Sequence, residues 1–185
     1  MFADLSSNQL LMLGAIAGII LVIILLRLFK RAQVFFKPFK KGKSYWCRVS
    51  AVSDGDTLTC YRLNLRRSKT KIRFAYIDAP ESSQEYGKES EKLVKKMVYR
   101  KFVRIRITDV DRYSRCVAVV HRIGTNVNEE LVKRGAAWVY EEYISNATQR
   151  QHWLALQAKA KKQKKGLWQN SKAIRPKTYR KQSKT

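Results

Sequence analysis

The chain has 185 residues, enough for one domain with attachments. Its 39 Lys and Arg against 14 Asp and Glu give a formal net charge of +25, a self-repulsion that a polyanionic partner relieves. Nucleic acid and anionic lipid are the two polyanions that fit. Cys47, Cys60 and Cys116 are an odd count without C-x-x-C spacing, which argues against a disulfide framework or a zinc module. Three reduced thiols suit a cytosolic face.

The N-terminus is apolar. Leu10 to Leu26 carries no charge, and the uncharged window extends back to Leu5. At about 1.5 Å per residue such a window spans a bilayer core. The lead before it has no Lys or Arg, and the run ends at Leu25, Leu26 and Arg27 without a small-residue cleavage site. An uncleaved anchor is therefore expected, with a signal peptide as the lesser alternative. Arg27, Lys30, Arg31, Lys37, Lys40, Lys41 and Lys43 follow the run, whereas Asp4 is the one charge before it. The positive-inside rule then puts the rest of the chain on the cytoplasmic side. Phe29, Phe35, Phe36 and Phe39 among those charges suit either a segment lying on an anionic membrane surface or a plain linker.

From Ser44 the pattern changes to short alternating segments. Strands are expected over 45–52 and 58–65, joined by the Asp54-Gly55 turn signal, then over 71–77, 102–108 and 116–121. Helices are expected over 87–99, with Leu93, Val94 and Met97 on one face, over 127–133 up to Gly135, and over 145–165 up to Gly166. Asn126 or Asn128 can cap the second. Five short strands with about three helices suggest a five-stranded OB-type barrel, and pattern alone fits an α+β sandwich as well. The expected organisation is a lead (1–9), a transmembrane helix (10–28), a basic juxtamembrane linker (29–43), a barrel domain (44–170) and a basic disordered tail (171–185).

Three clusters can carry chemistry. Ser53-Asp54-Gly55-Asp56-Thr57 reads first as a turn, with Asp56 at a strand start where a carboxylate can face a cleft. Arg73 lies inside an otherwise apolar strand and needs an anionic partner if buried. Asp78 and Glu81 flank Pro80, which stiffens the turn and suits a hard, oxygen-preferring cation and a positioned water. Asp111 to Arg115 adds two guanidiniums, which grip phosphate in a planar, bidentate way.

Together these segments resemble the staphylococcal nuclease family. The resemblance rests on Asp54-Gly-Asp-Thr57, on the Arg73 to Glu81 run and on Asp111-x-Tyr-x-Arg115. Further matches are Val127-Asn128-Glu129, Leu131-Val132, Gly135-x-Ala137 and Gly166-Leu167-Trp168. It covers about residues 44–170. It implies a five-stranded OB barrel with three helices and a calcium-dependent phosphodiesterase that leaves 3′-phosphates. Asp56, Asp78 and the backbone carbonyl of Ala79 would hold Ca2+. Glu81 would activate water, and Arg73 and Arg115 would clamp the phosphate. Arg112, Tyr113 and Tyr143 would contact the substrate, while Glu141 stands where the family has a second tyrosine, leaving Tyr140 as its substitute. The expected partners are DNA and/or RNA and a membrane, for a monomeric chain. The alternative is a catalytically weak OB module that binds nucleic acid or protein.

Overall fold

The computed structural model describes residues 7–35, 39–62, 69–111 and 115–183. It divides into two compact units, Met1–Pro38 and Phe39–Thr185.

The first unit is one helix, α1 (Ser7–Phe35), whose side chains are described from 12 to 28. They are exposed and mostly apolar. Among the described residues no helix is long and apolar enough to cross a membrane, so the expected transmembrane helix over 10–28 is not reproduced. Leu10 and Leu11 lie outside the described side chains, as does most of the expected linker.

The second unit is built on a closed barrel. Its strands are β1 (Ser44–Asp54), β2 (Thr57–Arg62), β3 (Lys69–Phe74), β5 (Phe102–Val110) and β6 (Cys116–Arg122). The sheet order is β3-β2-β1-β5-β6, and β3 closes it by pairing parallel with β6. Alternation explains the strands. Val103, Ile105 and Ile107 of β5 point inward, with Phe102, Arg104 and Arg106 outward. Cys47 and Val49 of β1, Leu58 and Cys60 of β2, and Ile72 and Phe74 of β3 fill the same interior. All three cysteines are free and buried. Register shifts at Ser50 and Ser53 bend β1 so that one long strand serves both β2 and β5.

Among the described residues four helices and two short 3-10 turns decorate this barrel: α2 (Gly87–Val98), α3 (Val127–Lys133), α4 (Ala147–Lys162) and α5 (Pro176–Gln182), with turns at Glu141–Tyr143 and Gly166–Gln169. The two-residue strands β4 (Ile77–Asp78) and β8 (Trp138–Val139) pair with each other, and β7 (Thr125–Asn126) extends β6. The barrel was expected with about three helices, and α5 is the addition. Residues 171–185 were expected to lack structure, yet α5 forms there with Pro176 fixing its first turn.

A second difference concerns the third strand, expected over 71–77. It stops at Phe74 because Tyr76 takes a left-handed φ of 68°. That conformation costs on the order of 1 kcal/mol. It persists because the Tyr76 ring packs edge-on to Trp153 and its carbonyl accepts from the Tyr140 N–H at 2.8 Å. The kink separates Asp78 from the strand that carries Arg73.

Asn126 is the cap of α3, its side chain accepting from the Glu129 N–H. Asn128 has a different task. It is fully buried, accepts from the Val120 N–H and donates to the carbonyls of Ala75 and Ala118, tying α3 to β6 and to the β3–β4 kink. Replacing it by Ala leaves buried backbone groups without partners, at roughly 2–4 kcal/mol. Asn128→Ala should therefore lower the urea midpoint markedly, whereas a loss below about 0.5 kcal/mol would show that water replaces the side chain.

Candidate active site

The site lies where the β1–β2 turn meets the β3–β4 kink. Asp54 stays in its turn, accepting from the Asp56 N–H at 2.9 Å. The Asp56 side chain is buried and points away from solvent. Its Oδ1 accepts from the Thr57 hydroxyl at 2.9 Å, and its Oδ2 from the Ala79 N–H at 3.1 Å. A second tie runs from the Phe74 N–H to the Asp56 carbonyl at 2.8 Å. This close approach requires glycine at 55. A Cβ there would lie 2.7 Å from the Ala79 Cβ and within 3 Å of Ser90 on α2.

Arg73 joins the two acids. Its Nη1 donates to Asp56 Oδ1 at 3.0 Å and its Nη2 to Asp78 Oδ1 at 2.9 Å, with 18% of the side chain exposed. It lies on the outer side of β3 but is turned onto the acid pair rather than free in solvent. Burial works against its charge, but Asp56 and Asp78 outweigh burial and raise its pKa above the ordinary value.

Glu81 follows on the loop after Pro80. Its backbone N–H donates to Gln84 Oε1, and its carbonyl accepts from the Gln84 N–H at 2.8 Å. The start of α2 presses on this loop. A Cβ at Gly87 would collide with the Glu81 carbonyl, so only glycine fits there.

Arg180, on α5, was not among the residues singled out. Its Nη1 donates to Glu81 Oε1 at 2.6 Å, and its Nη2 to Asp78 Oδ2 at 3.1 Å. Burial opposes its charge, but hydrogen bonds to Glu81 and Asp78 win and raise its pKa. The segment bearing it is fastened around the site. Gln84 Nε2 donates to the Ile174 carbonyl at 2.6 Å, the Tyr179 hydroxyl meets Ser83, and Lys177 pairs with Glu142 at 2.7 Å. The one sequence signal was an unpaired basic stretch in a chain with few acids.

Arg115 is held within its own loop, its Nε donating to Asp111 Oδ2 at 2.7 Å. Arg112 and Tyr113 lie outside the described residues. Tyr143 is exposed and packs edge-on to Tyr140, with ring centroids 4.5 Å apart.

Three carboxylates thus face two guanidiniums. Burial pushes the Asp56 pKa up to about 6, although Arg73, the Ala79 N–H and the Thr57 hydroxyl all pull it down. By formal charge the site carries one carboxylate more than it has guanidiniums. Two buried carboxylates from separate elements form an all-oxygen donor set that suits a hard divalent cation, with water and a backbone carbonyl completing its shell. Among the described residues no group of three His, Cys, Asp or Glu forms a cage by itself. Ala79 reaches the pair through its N–H.

The profile of staphylococcal nuclease homologues matches residues 71–170. The chain belongs to the staphylococcal nuclease family. It is a nuclease, a hydrolase of nucleic acid. Among its relatives is an uncharacterized endonuclease of Haemophilus influenzae, 42% identical over 138 residues, which cover 75% of this chain and 74% of that protein. An uncharacterized endonuclease of Escherichia coli is 38% identical over 134 residues, or 72% and 83% of the two chains. A micrococcal nuclease of Shigella flexneri is 32% identical over 145 residues, or 74% and 80%.

The raised pKa of Asp56 has a definite sign in stability. The folded state binds its proton more tightly than the unfolded chain does. The group therefore favours folding at low pH, and that contribution is lost as pH rises from about 4 through about 6. Across that window the urea midpoint of the wild type should fall relative to that of Asp56→Asn. A pH-independent difference would place the carboxyl at its ordinary value.

Proposed function

We propose that this chain is a calcium-dependent phosphodiesterase of DNA and/or RNA, tethered to a membrane by α1 with its barrel on the cytoplasmic side. The observation that carries the catalytic reading is the Arg73 bridge between buried Asp56 and Asp78, with Glu81 joined to Asp78 through Arg180. The tether rests on the uncharged window from Leu5 to Leu26, on the exposed apolar side chains of α1 and on the basic residues that follow.

Asp56, Asp78 and the Ala79 carbonyl would hold the cation. When bound, calcium supplies positive charge against the charge that builds on the phosphate oxygens. Arg73 is preorganised by its two acids and presents its remaining N–H groups to a phosphate. Glu81 accepts a proton from the attacking water. Arg115 adds a second guanidinium from the β5–β6 loop. Tyr143 and Tyr140 offer an aromatic pair beside the site, where a nucleotide can lie against them. By the family resemblance, Arg112 and Tyr113 would contact the substrate as well.

Arg180 stands in a different relation to this chemistry. It occupies both oxygens of Asp78 and one of Glu81. Arg180 therefore competes with a cation and a water for these oxygens. In this reading α5 withdraws before catalysis.

The test is hydrolysis of DNA and RNA by the full chain, with calcium or with chelator. Glu81→Gln should lower the rate by about 10²–10⁴-fold. Arg180→Ala should lower the calcium concentration needed for half-maximal rate. Activity indifferent to both chelator and Glu81→Gln would overturn the reading.

A further inference from the structure

We propose that the outer face of the barrel at β5, β1, β2 and β3 binds unpaired bases of single-stranded nucleic acid and leads the strand to the carboxylate site. The second half of this statement rests on the nuclease reading above; the binding itself does not.

The register places four side chains in one row across four strands. Phe102 lies opposite Arg48, Arg48 opposite Tyr61, and Tyr61 opposite Lys69. At about 4.8 Å between strands the row spans roughly 14 Å. It alternates aromatic and cation. The Arg48 guanidinium lies 5.9 Å from the Phe102 ring centroid and the Lys69 ammonium 5.8 Å from that of Tyr61. Trp46 stands one step along β1, opposite Arg104.

Packing does not require these residues. The inward positions of the same strands, Cys47, Cys60 and Val103, already fill the core. Trp46 is 58% exposed and Phe102 53%. Large aromatics left in water on adjacent strands mark a recognition surface. No Asp or Glu occurs in 44–48, 59–62, 69–73 or 102–108. The partner is therefore anionic and carries flat apolar groups.

Single-stranded nucleic acid has both. Basic grooves with interleaved aromatic platforms bind it through phosphate attraction and base stacking. A duplex keeps its bases stacked inside and offers a patch like this only its phosphates.

The route to the reaction is continuous. On β3 the same face carries Lys69, Lys71 and Arg73 at two-residue steps, about 6.6 Å each. Arg73 ends the row at Asp56 and Asp78. Beside this path lies an open concavity of about 500 Å³ lined by Ser50, Thr59, Tyr61, Lys69 and Lys71 among others.

The experiment is fluorescence anisotropy of a labelled oligonucleotide of about 12 nucleotides, within the site sizes of such surfaces. It is titrated with the full chain carrying Glu81→Gln, in chelator, and compared with its duplex. The expected result is single-strand binding at least tenfold tighter than duplex binding. Trp46→Ala and Phe102→Ala should each weaken single-strand binding by roughly tenfold, the effect of one lost stack. Both sites are exposed, so circular dichroism should be unchanged. Arg48→Glu provides a second readout: it should weaken binding and flatten its salt dependence. Equal affinity for single strand and duplex, or aromatic variants that bind like the parent, would overturn the proposal. Hydrolysis is measured separately on the wild-type chain. Its absence with the binding pattern intact would remove the nuclease reading and leave this surface standing.

Discussion

Everything at the site depends on one guanidinium between two buried carboxylates. Burying an isolated carboxylate costs several kcal/mol. Arg73 offsets this for Asp56 and Asp78 at once, with hydrogen bonds of 3.0 and 2.9 Å. It also fixes the fold locally. Asp56 belongs to the β1–β2 turn, Arg73 to β3 and Asp78 to the segment after the Tyr76 kink. Three segments of chain are thereby pinned to one point on the barrel wall. The compensation is incomplete, since burial still holds the Asp56 pKa near 6. A site so arranged attracts further positive charge.

Two sources of that charge compete in this account. One is the chain itself, through Arg180 on α5. The other is the divalent cation proposed above. The same carboxylates serve both, so occupancy by one lowers affinity for the other. The large positive charge of the chain is then divided in its uses. Arg73 and Arg180 gather around acids. Arg48, Lys69 and Lys71 face outward, where a polyanion can reach them.

Much of the barrel was legible in the sequence because its strands alternate strictly. The Phe102 to Thr108 segment shows its inward and outward sides without any further information. The Asp54-Gly55 turn and the helix over 127–133 are local signals of the same kind. Tyr76 was not legible. A tyrosine with positive φ is chosen by tertiary packing on Trp153, and nothing in the local pattern marks it. The acids and Arg73 stood out because a charge in an apolar strand demands a partner. Which partner, and that one arginine serves two acids, emerged only from the kink. Arg180 was hidden for a related reason. A basic tail without periodicity looks unstructured until the acidic loops that fasten it, Glu81 to Glu85 and Glu141 to Glu142, are known. Asn128 looked like a cap residue, yet its side chain bonds Val120 and Ala118 of β6 and, 53 residues back in sequence, the Ala75 carbonyl in the kink.

The most direct measurement of the central claim is Arg73→Lys, assayed for both hydrolysis and unfolding. Lysine keeps the charge but bridges as a single point, without a planar fork for two acids and a phosphate. The account predicts a chain that still folds, with a urea midpoint modestly lowered, and with nucleic-acid hydrolysis reduced by about 10²-fold or more. Lysine at 73 with near-normal turnover would show that charge alone suffices, and that the fork between Asp56 and Asp78 is not what organises the site.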